Sequence, residues 1–212
     1  MKAEGKAKLG LGVATRTYYE AKSHGLKHDP LKAIVAPRPI GWISTFAEDG
    51  TANLAPYSFF NLVSDRPKIV MFASVGWKDS ATNAAQRGAF AANLATGAFR
   101  DAVNASSAAF ERHESEFSAL DLAMERCTAI DAPMIAEADA VLECTVTETL
   151  VPKTASGSDA DAVVVFGEVV GFHIADALMR GGRFDSAAAG LLSRLGYFDY
   201  GVTDSTFEMK RP

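Results

Sequence analysis

The sequence predicts a mainly β chain, an antiparallel barrel-like sheet with a few helical insertions. Three observations carry this. Runs of β-branched, apolar and aromatic residues recur at residues 40–47, 52–63, 68–75, 89–95, 140–151 and 162–174, bounded by turn-forming residues. Most links between these runs are short, which favours antiparallel neighbours over crossovers. Helical patterns are confined to short stretches near residues 80–87, 99–108 and 111–126.

In chain order, residues 1–17 hold Lys, Gly and Ala with little to bury and read as a mobile arm, with one domain expected over 18–212. His24 and His28 stand four apart, but Gly25 and Pro30 place them in a loop. No carboxylate or cysteine completes a metal site with them. Residues 40–47 form the first strand, and Glu48-Asp49-Gly50 has hairpin-turn chemistry. The run over 52–63 contains Pro56, which cannot donate to a ladder, so that strand needs an edge, a bulge or a ligand there. A strand over 68–75 leads to a short helix starting at Asp79 or Ser80. Ala132-Pro133 ends the charged stretch 111–126. The run 140–151 alternates as a half-buried strand does, and Cys144 within it reads as inert core.

Residues 154–161 are a polar hairpin loop. The run 162–174 then shows two faces, Phe166, Glu168, Val170 and Phe172 against Val165, Gly167, Val169, Gly171 and His173. Glycines in a strand interior mark a close approach by a ligand or another chain segment. Gly181-Gly182 is a turn, 186–193 a helical turn, and 197–202 and 206–209 are short strand-like ends.

Three motifs stand in order: Ala36-Pro37-Arg38-Pro39-Ile40-Gly41-Trp42-Ile43-Ser44-Thr45, Asn53-Leu54-Ala55-Pro56-Tyr57-Ser58-Phe59-Phe60-Asn61, and Lys78-Asp79-Ser80. Together they resemble the flavin reductase-like family with the FMN-binding split β-barrel, in the branch similar to reductase components of two-component flavin monooxygenases. The resemblance implies a Greek-key-like barrel that binds FMN and takes NAD(P)H as a transient reductant. It also implies a homodimer with the flavin near the seam, and a possible partner monooxygenase. The expected cofactor-binding residues are Arg38, Ser44, Thr45, Pro56, Tyr57, Ser58, Phe59, Ser74, Lys78 and Ser80, and His173 is the candidate catalytic residue. Residues 107–138 depart from the family pattern, with Phe110-Glu111-Arg112-His113-Glu114 where relatives commonly carry a Pro- or Gly-containing loop.

The residues alone support part of this. A helix N-terminus favours an anion, Lys78 adds a full charge and Ser80 a hydroxyl, while Asp79 should cap the helix or point away. An ordinary capped helix with a surface lysine explains the same residues. Ser44 and Thr45 fall on opposite faces of one strand and are equally ordinary β residues. His173 reads equally as a hydrogen-bonded barrel histidine.

The formal net charge of -5 gives no footprint for nucleic acid. Two cysteines, Cys127 and Cys144, are too few for a disulfide framework and suit a reducing compartment. No apolar run reaches the roughly 20 residues of a membrane span, and no export signal is read, so the expected location is cytoplasmic. A Gly-x-Gly-x-x-Gly fingerprint, a phosphate loop, a Gly-x-Ser-x-Gly elbow and a zinc cluster are all missing from the sequence. The competing readings are a non-catalytic FMN carrier and an unrelated β-barrel without flavin.

Overall fold

The computed structural model describes residues 14–211. The chain divides into two compact units, Met1–Pro30 and Leu31–Pro212. The described part of the first has no helix or strand and is built from turns. Ser23 donates its hydroxyl to Glu20 at 2.8 Å, and the Leu26 N–H bonds to His24 Nδ1 at 3.0 Å. Most of the arm expected over residues 1–17 lies outside the described residues.

The second unit opens with helix α1 (Leu31–Ile34), a two-residue strand β1 (Arg38–Pro39), β2 (Gly41–Phe46) and β3 (Ala52–Tyr57). It continues with β4 (Phe60–Asp65), β5 (Lys68–Ser74), α2 (Asp79–Arg87) and β6 (Ala89–Leu94). A 3-10 turn leads into α3 (Arg100–Ala105), followed by α4 (Glu116–Ala119), β7 (Met124–Arg126) and β8 (Pro133–Ile135). The long pair β9 (Ala140–Leu150) and β10 (Val163–Ile174) comes next. The chain ends with β11 (Met179–Arg180), β12 (Arg183–Phe184), α5 (Ser186–Ala189), β13 (Leu192–Arg194) and β14 (Tyr200–Val202).

Seven strands form one antiparallel sheet in the order β3-β2-β6-β9-β10-β5-β4. Its edge strands, β3 and β4, are consecutive in sequence, so the sheet curls until its ends approach: a split barrel. The expected single strand over 52–63 is thus two strands broken at Ser58-Phe59. The ladder with β2 runs through Pro56 to Tyr57 and ends there, while the apolar pattern runs on into β4.

Both faces of β2 are covered, which is why all six of its residues are buried. Ile43 joins Phe72, Phe90, Cys144 and Val165 on the inner side, where Ala81 and Ala84 of α2 close the core. Trp42, Phe46 and Leu54 pack on the other side against Val103, Phe117, Ile135 and Leu192. The Trp42 indole donates to Ser106 Oγ at 2.9 Å, which ties α3 to this side. Helix α2 stops at Gly88, whose φ of 70° is open to glycine at little cost.

The two faces expected for β10 are observed: Val163, Val165 and Gly167 are buried while Glu168, Val170 and Phe172 are exposed. The close approach at Gly167 is to the core and not to a ligand. A Cβ there would lie 2.5 Å from the Phe90 ring and 2.9 Å from Cys144 Cβ. The expected strand at 206–209 is not formed, and β8 forms where Ala132-Pro133 reads as a breaker. No helix among the described residues is long and apolar enough to cross a membrane.

Candidate functional site

Strand β3 pairs on one side with β2. On its other side the Leu54 N–H is taken by the Glu116 carboxylate at 2.8 Å, not by a strand. Pro56, two residues on, lies along the same uncovered edge and has no N–H to satisfy. The edge opens on a cavity of ≈ 540 Å³ between β3, the start of α2, residues 106–110 and Glu116. A second groove of ≈ 410 Å³ adjoins it, sharing Pro56 and Ser107, and is lined by Lys32, Ser58, Arg194, Tyr197 and Tyr200 among others. A larger hollow of ≈ 590 Å³ beside α4 has Asp121 and Glu137 as its charged lining and suits no anion.

Lys78 occupies the N-cap position of α2 in an extended conformation, and no side chain caps the helix. Its amine is exposed at the cavity mouth. Asp79 neither caps nor points away. It is the first helical residue and lines the cavity, because the helix begins one residue earlier than a capping aspartate requires. Ser80 is buried and donates its hydroxyl to Asn53 Oδ1 at 2.7 Å. The Asn53 amide in turn donates to Glu116 Oε1 at 3.0 Å. Burial pushes the Glu116 carboxyl above the usual range, against the pull of the Leu54 N–H, and nearby Asp79 adds to the rise.

Tyr57 lines the cavity with its ring 4.9 Å from that of Phe72. Burial raises its phenol above the ordinary tyrosine value, and the hydroxyls of Ser80 and Ser74 pull the other way. Ser74 itself is buried beneath that phenol, and its hydroxyl makes no hydrogen bond of good geometry. Phe59 is exposed, with the Lys32 ammonium 5.9 Å from its ring centre.

Ser44, Thr45, Arg38 and His173 do not line the cavity beside β3. Ser44 is fully buried, donates to the Pro133 carbonyl at 2.6 Å and accepts from Asn93 at 2.9 Å. Thr45, also fully buried, accepts from Asn83 of α2 at 3.2 Å. Neither hydroxyl reaches the cavity, because layers from distant sequence cover both faces of β2. Arg38 is buried, and its guanidinium donates to the carbonyls of Lys32, Val35 and, at 2.8 Å, Leu195. It ties α1 to the β13 end and is itself part of the lining of the second groove.

His173 lines a separate apolar groove of ≈ 260 Å³ and bonds through Nε2 to Glu143 Oε1 at 2.5 Å. Glu143 is buried and accepts also from the N–H groups of Thr128 and Ala129 at 2.7 and 2.6 Å. Burial alone would raise the Glu143 carboxyl, but His173 and the two N–H groups outweigh it and hold it below the usual range. The nearby Cys127 thiol is pushed up to about 12 by burial and by Glu143, so it is no nucleophile.

Residues 35–200 match the family model described as flavin reductase like domain. The chain belongs to the flavin reductase-like family. A protein of Halalkalibacterium halodurans is 33% identical over 184 residues, covering 84% of this chain and 87% of that one. Nitrilotriacetate monooxygenase component B from Bacillus cereus superposes with a TM-score of 0.84 at 25% identity, over 93% of this chain and 100% of that chain. The FMN-binding protein from Thermus thermophilus shares the fold, with a TM-score of 0.72 at 18% identity over 92% and 100% of the two chains.

Asn53, Asn83, Asn93, Glu116 and Glu143 are the polar groups that order this family member's interior, and none was among the expected site residues. Asparagine is depleted in strands, so Asn53 and Asn93 inside apolar runs are the signal that was there to be used.

Glu143 gives a pH test. Its carboxyl is depressed in the folded state, so it contributes stability above the unfolded glutamate pKa of about 4.3. That contribution is lost as pH falls through the folded value. Replacing Glu143 by Gln should cost about 1–3 kcal/mol at neutral pH, and the gap from the parent should close in acid. Denaturant melts across that range read it; a gap independent of pH would mean Glu143 acts by shape alone.

Proposed function

We propose that this chain is an FMN-dependent reductase, in which NAD(P)H reduces FMN held in the cavity beside β3 and the electrons pass to an acceptor or a partner oxygenase. The observation that carries this is the meeting of two unfinished backbone ends at one cavity. The uncapped N-terminus of α2, with Lys78 at its mouth, and the proline-interrupted free edge of β3 both open there in a flavin reductase-like chain.

The residues fit FMN by their chemistry. The first N–H groups of α2 and the Lys78 ammonium suit a phosphate. The Pro56 carbonyl on the free edge, with Tyr57 beside it, suits the one ring N–H of a flat flavin, and the adjoining groove supplies the Ser58 hydroxyl as a donor for the ring's acceptors. Bound flavin would supply the hydride-accepting chemistry, and the chain would supply position and polarity. Pro56 and Ser58 lead from the first cavity into the groove carrying Arg194, Tyr197 and Tyr200. That groove could receive the reductant next to the ring. A non-catalytic FMN carrier is the second reading. It is favoured by the distance of His173 from the cavity, since no titratable histidine lines it.

A homodimer is part of the proposal. Leu62 and Val63 on β4 and Val170 and Phe172 on β10 are exposed apolar residues on the strands flanking β5, and Phe198 is 92% exposed. Leu192 is core. Light scattering on flavin-loaded protein should report twice the chain mass, and a monomer with full flavin occupancy contradicts it.

Changing Lys78 to Ala should weaken FMN binding about tenfold or more, the worth of a charge-assisted hydrogen bond of about 1.5–3 kcal/mol. Riboflavin, which lacks the phosphate, should bind the parent weakly and be little affected. Equal losses for both ligands would refute a phosphate role for Lys78.

A further inference from the structure

The cavity that offers an anion a lysine and a helix N-terminus also contains a buried carboxylate. Glu116 is 4% exposed, lines the same cavity as Lys78, and is held by the Leu54 N–H and the Asn53 amide. A dianionic phosphate entering beside an ionised Glu116 would set like charges against each other where water is scarce, and their repulsion is far stronger there than in bulk water.

The hydrogen-bond polarity of the site depends on the same group. An ionised carboxylate can only accept, so the Asn53 amide must turn its Nδ2 toward Glu116 and its Oδ1 toward Ser80. The single Ser80 hydroxyl hydrogen is then committed to Asn53. A protonated Glu116 donates instead. It can keep the Leu54 N–H on one oxygen and give its O–H to Asn53 Oδ1 once the amide turns over. Asn53 Nδ2 then faces the oxygens of Ser80 and of Thr45, whose hydroxyl lies 3.4 Å from Asn53 Oδ1 in the ionised arrangement, and the Ser80 hydrogen is released to donate elsewhere.

Resting on the FMN reading above, we propose that Glu116 sets the charge the cavity accepts: the phosphate group enters together with one proton from solvent, which settles on the Glu116 carboxyl and turns Ser80 into a donor through Asn53. The bonds in this relay are non-covalent, and charge balances as one proton gained per phosphate bound. The charged and titratable groups around Glu116 are Lys78 and Asp79 from α2 and the Tyr57 phenol from β3. Glu111, Arg112, His113 and Glu114 on its own segment are exposed. Burial and Asp79 already favour the neutral acid.

The test is calorimetric titration of FMN into the parent and Glu116→Gln in buffers of different ionisation enthalpy. The pH is set between the ordinary carboxylate range and neutrality, and riboflavin serves as the phosphate-free control. The parent should take up more protons per FMN than the variant, by up to one, and the difference should vanish with riboflavin. The second ionisation of the phosphate itself, at about 6, shifts toward proton release beside a lysine, so it has the opposite sign. Equal proton counts for parent and variant with FMN overturn the proposal, as does a difference that persists with riboflavin. If the variant does not fold, the parent decides alone at neutral pH, where the phosphate is already doubly ionised both free and bound: no excess uptake with FMN over riboflavin there overturns the proposal. A parent that binds no FMN refutes the functional reading itself, and that result is in hand before any variant is made.

Discussion

A seven-stranded sheet whose two edge strands are consecutive in sequence cannot stay flat. Only Ser58 and Phe59 join β3 to β4, and the three steps from Tyr57 to Phe60 span at most about 11 Å, so the sheet must curl until its edges approach. The rest of the molecule follows from that closure. Helix α2 fills the inner side with small residues, Ala81 and Ala84, where a bulkier helix face would not fit against Phe72 and Phe90. The outer side of β2 and β3 is left for α3, α4 and β8 to cover. The candidate site is where closure is incomplete: Pro56 offers no donor at the edge, and a carboxylate, not a strand, satisfies Leu54.

Two buried glutamates show how neighbours set the behaviour of one residue type. Glu143 faces a histidine and two backbone N–H groups, which favour its charged form and give it a structural part. Glu116 is buried with Asp79 near it, which favours the neutral acid against the pull of its two neutral donors. Through Glu143, His173 ties β10 to residues 128 and 129, while Glu116 is the buried carboxyl that lines the cavity. Arg38 is a parallel case. Its permanent charge suits a phosphate, but three backbone carbonyls at a junction of α1 and β13 engage it first.

The strands were legible because their apolar periodicity is local. Those of β2, β5, β6, β9 and β10 lie within a residue or two of where the pattern puts them, and the two faces of β10 could be read from alternation alone. The break at Ser58-Phe59 was not legible, since Phe60, Leu62 and Val63 continue an apolar run across it. At the site, the Pro56 edge and the position of the α2 start follow from residue chemistry, whereas the missing cap does not, because Asp79 falls inside the helix and lines the cavity. The fates of Ser44 and Thr45 do not, because what covers them arrives from residues 83 and 133. Glu116 was illegible for the same reason: it reaches Leu54 across 62 residues from within a charged stretch that reads as a solvated surface.

The proposal that this cavity holds FMN and exposes it to a nicotinamide is tested most directly by the visible spectrum of the protein loaded with FMN, recorded without oxygen before and after stoichiometric NADH or NADPH. The expected result is a flavin spectrum perturbed by the protein and bleached by one of the two reductants on a catalytic timescale. A protein that leaves the spectrum of added FMN as it is in free solution contradicts the site. A bound flavin that neither reductant bleaches contradicts the reductase and leaves the carrier.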